Sequence, residues 1–556
     1  MNAHDESPPA AGWNAFAPLR EATFRNIWTA SLLSNFGQLV LGVGAAWEMT
    51  RLTTSASMVA LVQSAMMLPL MLVAVPAGAI ADMFDRRKTA MAGLAFATLA
   101  AAVLTTIAML GLTTPWLLLL FCFLIGGGVA LYGPAWQSSI IEQVRPEHLP
   151  AAVALGAVSY NIARSFGPAI GGAVIVLVGA KGAFGINALF YLPLLITFFF
   201  WKRQQAINRL PPERLDRAIV GGARYALHSP PIRIVLIRAF LFGLCTAATA
   251  ALVPLIVRDM LQGTASTFGL LLGATGVGAV IGALAVSEVR ERFSAERAVG
   301  LCALVGGPAV IAIGFSHHVI LTALLLVVSG AANMLLVSLF SVGVQLSAPR
   351  WVAARAIALH SSALTGGIAI GAWIWGQVTG AWGVDVAIVA SGVLLALTSL
   401  LGLVLPMPRV SLKEIEVVDL GHEPEVSLQL TPRSGPIVIE IDYAVDPEHA
   451  RDFYAAMLKL QHARRRNGAY DWSLSRDIAK LSLWTERYHC ATWGDYLRQR
   501  ERFTHSDLDL QEQASAFNMD SSELRVRRRL ERPFGSVRWR ADVPDPQRDN
   551  YSVFGP

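Results

Sequence analysis

Gly78-Ala-Ile-Ala-Asp82-Met-Phe-Asp85-Arg86-Arg87-Lys88 is a short, charged turn between two long apolar runs, the second beginning at Thr89. A connector this brief and this charged reads as an elbow between two membrane helices. About 20 apolar residues suffice to cross a bilayer as a helix. Working outward from the elbow, the sequence predicts twelve such spans, at 24–50, 55–80, 89–111, 115–141, 149–179, 183–201, 232–257, 265–287, 297–315, 318–346, 352–380 and 383–405. The fold class expected is therefore an all-α polytopic membrane protein with two six-helix halves. A soluble α+β domain follows them.

Composition supports this. Of 556 residues, 54% are hydrophobic and 15% charged, and mean hydropathy is +0.50; soluble domains carry about 25% charged residues. The net charge of +6 follows from where the basic residues fall. Arg20, Arg25, Arg86–Lys88, Arg145, the run from Lys202 to Arg224, Arg290–Arg297, Arg350 and Arg355 all lie in connectors on one side of the spans. Only Arg51, Lys181 and Arg258 lie on the other. By the positive-inside rule the first side is cytoplasmic, with both termini there, in the cell (inner) membrane. No basic stretch is interleaved with base-stacking aromatics, which excludes a nucleic-acid partner. Cys122, Cys245, Cys302 and Cys490 have no metal-ligand or redox spacing. No metal and no cofactor are expected. Residues 1–18 are polar and Pro-containing, a cytoplasmic tail rather than a signal peptide.

The spans repeat. Gly78-Ala-Ile-Ala-Asp82 recurs as Gly282-Ala-Leu-Ala-Val286, and Pro146, Leu155, Gly167 and Gly172 recur as Pro349, Leu359, Gly371 and Gly376, 203–204 residues on. Two parallel halves, 1–201 and 232–405, place a central site between them. Residues 202–231, with Pro211-Pro212 and Pro230-Pro231, form the cytoplasmic linker, and 406–435 a tether. From 436 to 556 the pattern is strand, helix, two strands, a helix over about 492–517, and a last strand. That β-α-β-β-α-β order is ferredoxin-like.

Polar residues inside spans are costly and mark candidate sites. They are Asn35 and Gln38 on span 1, Gln63 on span 2, Gln137 on span 4, Asn161 and Arg164 on span 5, Asn333 on span 10 and His360 on span 11. Arg164 answers either to the bundle interior or to a carbonyl or headgroup near the cytoplasmic end. Arg238 reads as a snorkelling anchor. Glu48 answers either to proton coupling or to a surface pair with Arg51. At the elbow, Asp82 lies opposite the expected start of span 11, whose free N–H groups attract an acid. Arg86 is placed to pair with Glu142 at the end of span 4. Asn161-Ile-Ala-Arg164-Ser-Phe-Gly167-Pro168-Ala-Ile-Gly171-Gly172 carries small residues that let helices approach closely.

Gly78, Asp82, Arg86 and Arg87 resemble the signature loop of the major facilitator superfamily, G-x-x-x-D-(R)-x-(G)-R-(R/K), with Met83 and Asp85 departing from it. Gly167-Pro168-x-x-Gly171-Gly172 resembles the helix-5 motif of that superfamily's proton-coupled drug exporters. With Phe24-Arg25-Asn26-Ile27-Trp28 and Ser34-Asn35-Phe36-Gly37, the chain resembles the enterobactin-exporter-like branch, the transmembrane secretion effector family. The resemblance implies a secondary transporter, not an enzyme, exporting drug- or siderophore-like amphipathic molecules by proton antiport. It assigns gating to Gly78, Asp82, Arg86, Arg87 and Glu142, and substrate or coupling roles to Asn35, Gln38, Glu48, Gln137, Asn161, Arg164 and His360. The tail, notably Trp493-Gly-Asp-Tyr-Leu-Arg498, resembles small antibiotic-biosynthesis-type monooxygenases, which pair into dimers. A homodimer through this domain, or an active enzyme domain fused to the transporter, is the alternative it implies. Trp472, Trp484, His489 and Trp493 answer either to a small pocket or, more commonly for such residues, to core packing. No phosphate-cradling loop is present, which argues against ATP drive.

Overall fold

A computed structural model of the chain describes residues 16–201, 224–349, 352–408, 416–418, 424, 426–519 and 524–531. The N-terminal tail to residue 15, most of the linker, Arg350 and the surroundings of Gly78 and the Asp82 side chain lie outside the described residues.

Among the described residues eleven long helices carry the first part: α1 (Ala22–Leu52), α2 (Ala56–Met83), α3 (Arg86–Met109), α4 (Pro115–Ser139), α5 (Leu149–Phe200), α6 (Pro230–Leu255), α7 (Ala265–Arg292), α8 (Ala295–Gly314), α9 (Val319–Gln345), α10 (Ala353–Trp382) and α11 (Val384–Leu397). Among the described residues ten helices are long and apolar enough to cross a membrane. α1 is long enough, at 31 residues, but less apolar. Spans 5 and 6, expected as separate helices, form the two arms of α5, which departs from helical geometry at Gly179 (φ 73, ψ 178). That positive φ is open to glycine without strain.

Helix starts follow local chemistry. Ser55, Asp85, Thr114 and Ser294 each accept a backbone N–H of the following turn. Asp85, the elbow's departure from the superfamily pattern, is thus the N-cap of α3, accepting from Lys88 at 3.1 Å.

The repeat reappears in packing. A Cβ on Gly167 would meet Leu39 of α1 at 2.7 Å, and one on Gly371 would meet the Leu244 carbonyl of α6 at 2.5 Å. Gly172 lies against Gly269 of α7, while Gly376 lies against Ala60 and Ser57 of α2. Glycines 204 residues apart thus make corresponding close approaches, Gly167 and Gly371 within a half and Gly172 and Gly376 across the halves. At Gly172 and Gly371 only the absence of a side chain permits helix backbones this near.

The described residues fall into two packed units. The first holds the helices; the second comprises those within Val220–Arg233, Val344–Ala356 and Pro408–Pro556. The second unit holds strands β1 (Ile437–Ala444), β2 (Tyr470–Arg476), β3 (Leu483–Cys490) and β4 (Arg525–Leu530), in the antiparallel order β2-β3-β1-β4. Helices α12 (Ala450–Arg466), α13 (Trp493–Glu501) and α14 (His505–Ser515) complete it. The single helix expected over 492–517 is in fact two. Thr504 and Asp507 form a capping box that restarts the helix after Phe503.

Ile439, Ile441, Tyr443, Phe453, Met457, Leu460 and Tyr488 fill the core between sheet and helices. The tether is bonded to this core: Trp493 N–H donates to Ser434, Gly494 N–H to Pro432, and Val418 N–H to Phe503.

Candidate functional site

The elbow places three cations in the first turn of α3, where the helix dipole disfavours positive charge. Two of them are compensated by other helix ends. Arg86 donates to Glu142 and to the Ser138 carbonyl, both at 2.9 Å, bringing together the pair expected from sequence. Arg87 donates to the Phe198 carbonyl at 2.8 Å and to that of Phe199, both in the last turn of α5. Cations at a helix C-terminus contribute about 0.3–1 kcal/mol each. The elbow therefore ties α3, α4 and the second arm of α5 together at one end of the first half. Asp82 occupies the last turn of α2.

The second half has its own tie, which sequence reading mistook for a snorkelling anchor. Arg238 is 2% exposed. Its guanidinium meets both carboxylate oxygens of Glu296, at 2.6 and 3.0 Å, and the Leu405 carbonyl at 3.0 Å. Glu296 also accepts the Met407 N–H at 2.6 Å. α6, α8 and the chain leaving α11 are joined through one pair, a buried guanidinium on a half-buried carboxylate.

The halves meet at the opposite end from the elbow. Trp47 stacks on Phe268 with centroids 5.0 Å apart. Ser64 donates to the Ala369 carbonyl at 2.6 Å, and Arg258 reaches the Thr53 carbonyl at 3.5 Å. Gly172 on Gly269 and Gly376 on Ser57 belong to the same closure. Its innermost contacts are Gly276 against the Ser165 carbonyl and Gly366 against Met71. Sequence reading missed this closure, except for the small-residue spacing of Gly167–Gly172. Above it, a cavity of about 940 Å³ is lined by Ser55, Arg258, Asp259, His317, Gln377 and Asp385 among others.

The polar candidates lie around the inner edge of the closure. Leu39 beside Gly167 and Val43 beside Gly171 fix the register of α1 on α5. Asn35 and Gln38 are thereby level with residues 163–166, one turn from Asn161 and beside Arg164. All four are half-buried. His360 is buried on α10 with Nδ1 lacking a partner among the described residues. Gln137 is exposed and stands apart from them. Glu48 lies at the closed end, 7% exposed, 3.5 Å from the exposed Arg51.

With this geometry in hand, comparison with known proteins decides the family. A match to the transmembrane secretion effector family runs over residues 13–534. The chain belongs to that family. Among curated relatives, the multidrug efflux pump Tap of Mycolicibacterium fortuitum is 23% identical over 392 residues, covering 68% of this chain and 95% of its own. The staphyloferrin A transporter of Staphylococcus aureus is 23% identical over 300 residues, 53% of this chain and 74% of its own. Among solved structures, a bacterial homologue of the human lysosomal transporter Spinster, inward-facing and unoccupied, aligns with TM-score 0.58 at 15% identity, over 70% of this chain and 97% of its own. That likeness establishes the fold. The family match and these relatives make the chain a multi-pass membrane transporter of the major facilitator superfamily.

In the second unit, the four residues offered as one pocket do not share a face. Trp472 donates to Glu486 at 2.9 Å on the core side, and Trp484 packs there on Phe453. His489 lies on the opposite face of the sheet, 2.8 Å from Glu531 and tilted on Tyr470. Trp493 packs on Tyr496. Glu486 is 0% exposed and also accepts from Arg464 at 3.2 Å and Tyr443 at 3.3 Å. Burial, with Glu486 beside it, raises the Tyr443 phenol well above its ordinary range. Burial likewise pushes the Cys490 thiol up to about 12, so it is no nucleophile.

The same unit grips the residues preceding α6. Tyr225 is buried beneath the Arg466 guanidinium, 5.5 Å from its ring centroid, and burial pushes its phenol up to about 12. Arg466 and Asn467 in turn donate to Asp507, which is 1% exposed.

Proposed function

We propose that the protein is a secondary active exporter of small amphipathic molecules, working by proton antiport and alternating access. The observation that supports this best is the one-ended closure. Paired glycines, an aromatic stack and Ser64 join the halves at the end away from the elbow, whereas the described ties near the elbow stay within each half. Counting α1 and the two arms of α5 as crossings gives twelve, with both termini and the second unit cytoplasmic, so the closed end faces outward. The elbow, with Gly78, Asp82, Arg86, Arg87 and Glu142, belongs to the inner gate. Drug- and siderophore-like molecules are the substrate class suggested by the relatives' names.

Glu48 is the carboxylate we assign to proton coupling, because it is buried beside the Trp47–Phe268 stack. In everted vesicles, an imposed pH gradient should drive dye uptake, and a protonophore should stop it. Glu48→Gln should lose roughly tenfold or more of the gradient-driven rate while retaining dye exchange, as removal of one coupling carboxylate demands. Wild-type gradient dependence in that variant would remove Glu48 from the mechanism.

The second unit acts as a regulatory or dimerising domain in this reading. Glu486 is saturated by three donors, and Phe453 fills the space among Tyr443, Trp484 and Phe517. A packed interior of this kind favours structure over catalysis. Pairing of two copies through this unit is the partner expected.

A further inference from the structure

We infer that Arg164 recognises an acidic group on the cargo, so that the molecules preferred for export carry a carboxylate or a comparable anion. The inference rests on the exporter reading and names the substrate class for the same pathway.

Three observations carry it. The first is direction. Residues in an α-helix advance by about 100° each. Phe166, Ile170 and Leu177 are exposed and form the lipid-facing stripe of α5. Asn161, Arg164 and Pro168 fall on the opposite side, between the faces that meet α1 through Gly167 and α7 through Gly172. Arg164 therefore points into the bundle. The second is depth. The next residue, Ser165, makes the innermost closure contact with Gly276, which puts Arg164 at the floor of the space that the closure seals.

The third is the missing counter-ion. Among the described residues Arg164 makes no hydrogen bond or ion pair. Five acids of the helices and their ends are committed elsewhere, Glu48 to Arg51, Glu142 to Arg86, Asp259 to Arg258, Glu288 to Arg292 and Glu296 to Arg238, while Glu291 lies fifteen residues past Gly276 on α7 and Asp385 lines the cavity beyond the closure. Asp82 lies eleven residues past Met71 on α2. At 1.5 Å per residue that is roughly 16 Å from the closure level. The buried cations Arg238 and Arg464 are each matched by a carboxylate, as buried charges ordinarily are.

A guanidinium is always protonated. With the elbow end open, water serves it. Closing that end removes the water and leaves an uncompensated cation in low dielectric, which is unfavourable. A carboxylate on the cargo offers a two-pronged, charge-assisted pair in its place. Asn35, Gln38 and Asn161, at the same level, supply neutral hydrogen bonds around it. The empty carrier thus resists occlusion, whereas the carrier laden with an acid does not.

The test uses a matched pair of amphipathic dyes, rhodamine B with its carboxylate and rhodamine B ethyl ester without it, on the full-length protein in everted vesicles. Wild type should move the acid faster than the ester. Arg164→Gln should slow the acid about tenfold or more, the worth of one charge-assisted pair, and change the ester by less than about twofold, with Arg164→Lys recovering part of the loss. Equal slowing of both dyes, or of neither, would overturn the assignment. Should wild type move neither dye, the exporter reading fails for these probes. Quenching titrations in detergent then decide the inference separately. Acid binding about tenfold weaker in Arg164→Gln upholds it, and equal binding overturns it.

Discussion

Replacing Gly172 with leucine is expected to abolish transport while leaving the protein inserted in the membrane. A Cβ there would fall on the Gly269 backbone, which no side-chain rotation can move aside. The clash exists only when the halves are closed at the end away from the elbow. Overpacking of this kind costs about 1–3 kcal/mol even for modest additions, and here it burdens one state of the cycle alone. A shift of that size moves a two-state equilibrium by roughly five- to 150-fold. Gly376→Leu should act alike, because it meets Ala60 and Ser57 in the equivalent contact of the other pair of helices. Gly273→Ala is the control, with its nearest neighbour at an ordinary 3.7 Å. Dye efflux from cells with matched surface expression reads all three.

The second large effect is on stability. Glu296→Gln removes the charge that compensates a guanidinium only 2% exposed. Breaking a fully buried pair by one partner costs about 3–5 kcal/mol, and the loss here falls toward the lower end because the Glu296 side chain is 26% exposed. Thermal unfolding in detergent should show the loss. The double variant Arg238→Met with Glu296→Leu should recover part of it, because no buried charge then remains. The same Tm for Glu296→Gln and wild type would mean that the pair is solvated and that α6 and α8 are joined by packing alone.

Much of this was legible in the sequence because it is local or periodic. The elbow, the long apolar runs, the 204-residue repeat and the strand–helix order of the second unit depend on neighbouring residues. Gly167 and Gly172 could be singled out for close approach because small residues recur at helical spacing, although not which helices they meet. The pairing of Arg86 with Glu142 followed from both lying at adjacent helix ends. Other features depend on long-range partners. Arg238 finds Glu296 58 residues away, and Ser64 finds Ala369 305 residues away. Nothing local marks either choice. Arg87 bonds carbonyl oxygens, which every residue has, so sequence carries no trace of that contact. The break between α13 and α14 was readable and overlooked: Thr504-His-Ser-Asp507 is a capping pattern inside an otherwise helical run. His489 was grouped with Trp484 although alternation along β3 puts odd and even positions on opposite faces.

Alternating access is the central claim, and distances between spin labels at both ends of the bundle test it most directly. The four native cysteines are buried, so labels can be directed to exposed positions. Lys88 and Arg292 serve at the elbow end, and Leu112 and Ile320 at the other. The account predicts reciprocal changes when cargo or a proton gradient is supplied: the Lys88–Arg292 distance shortens as the Leu112–Ile320 distance lengthens. Distributions that stay fixed at both ends under every condition, or that change in the same direction together, would contradict it.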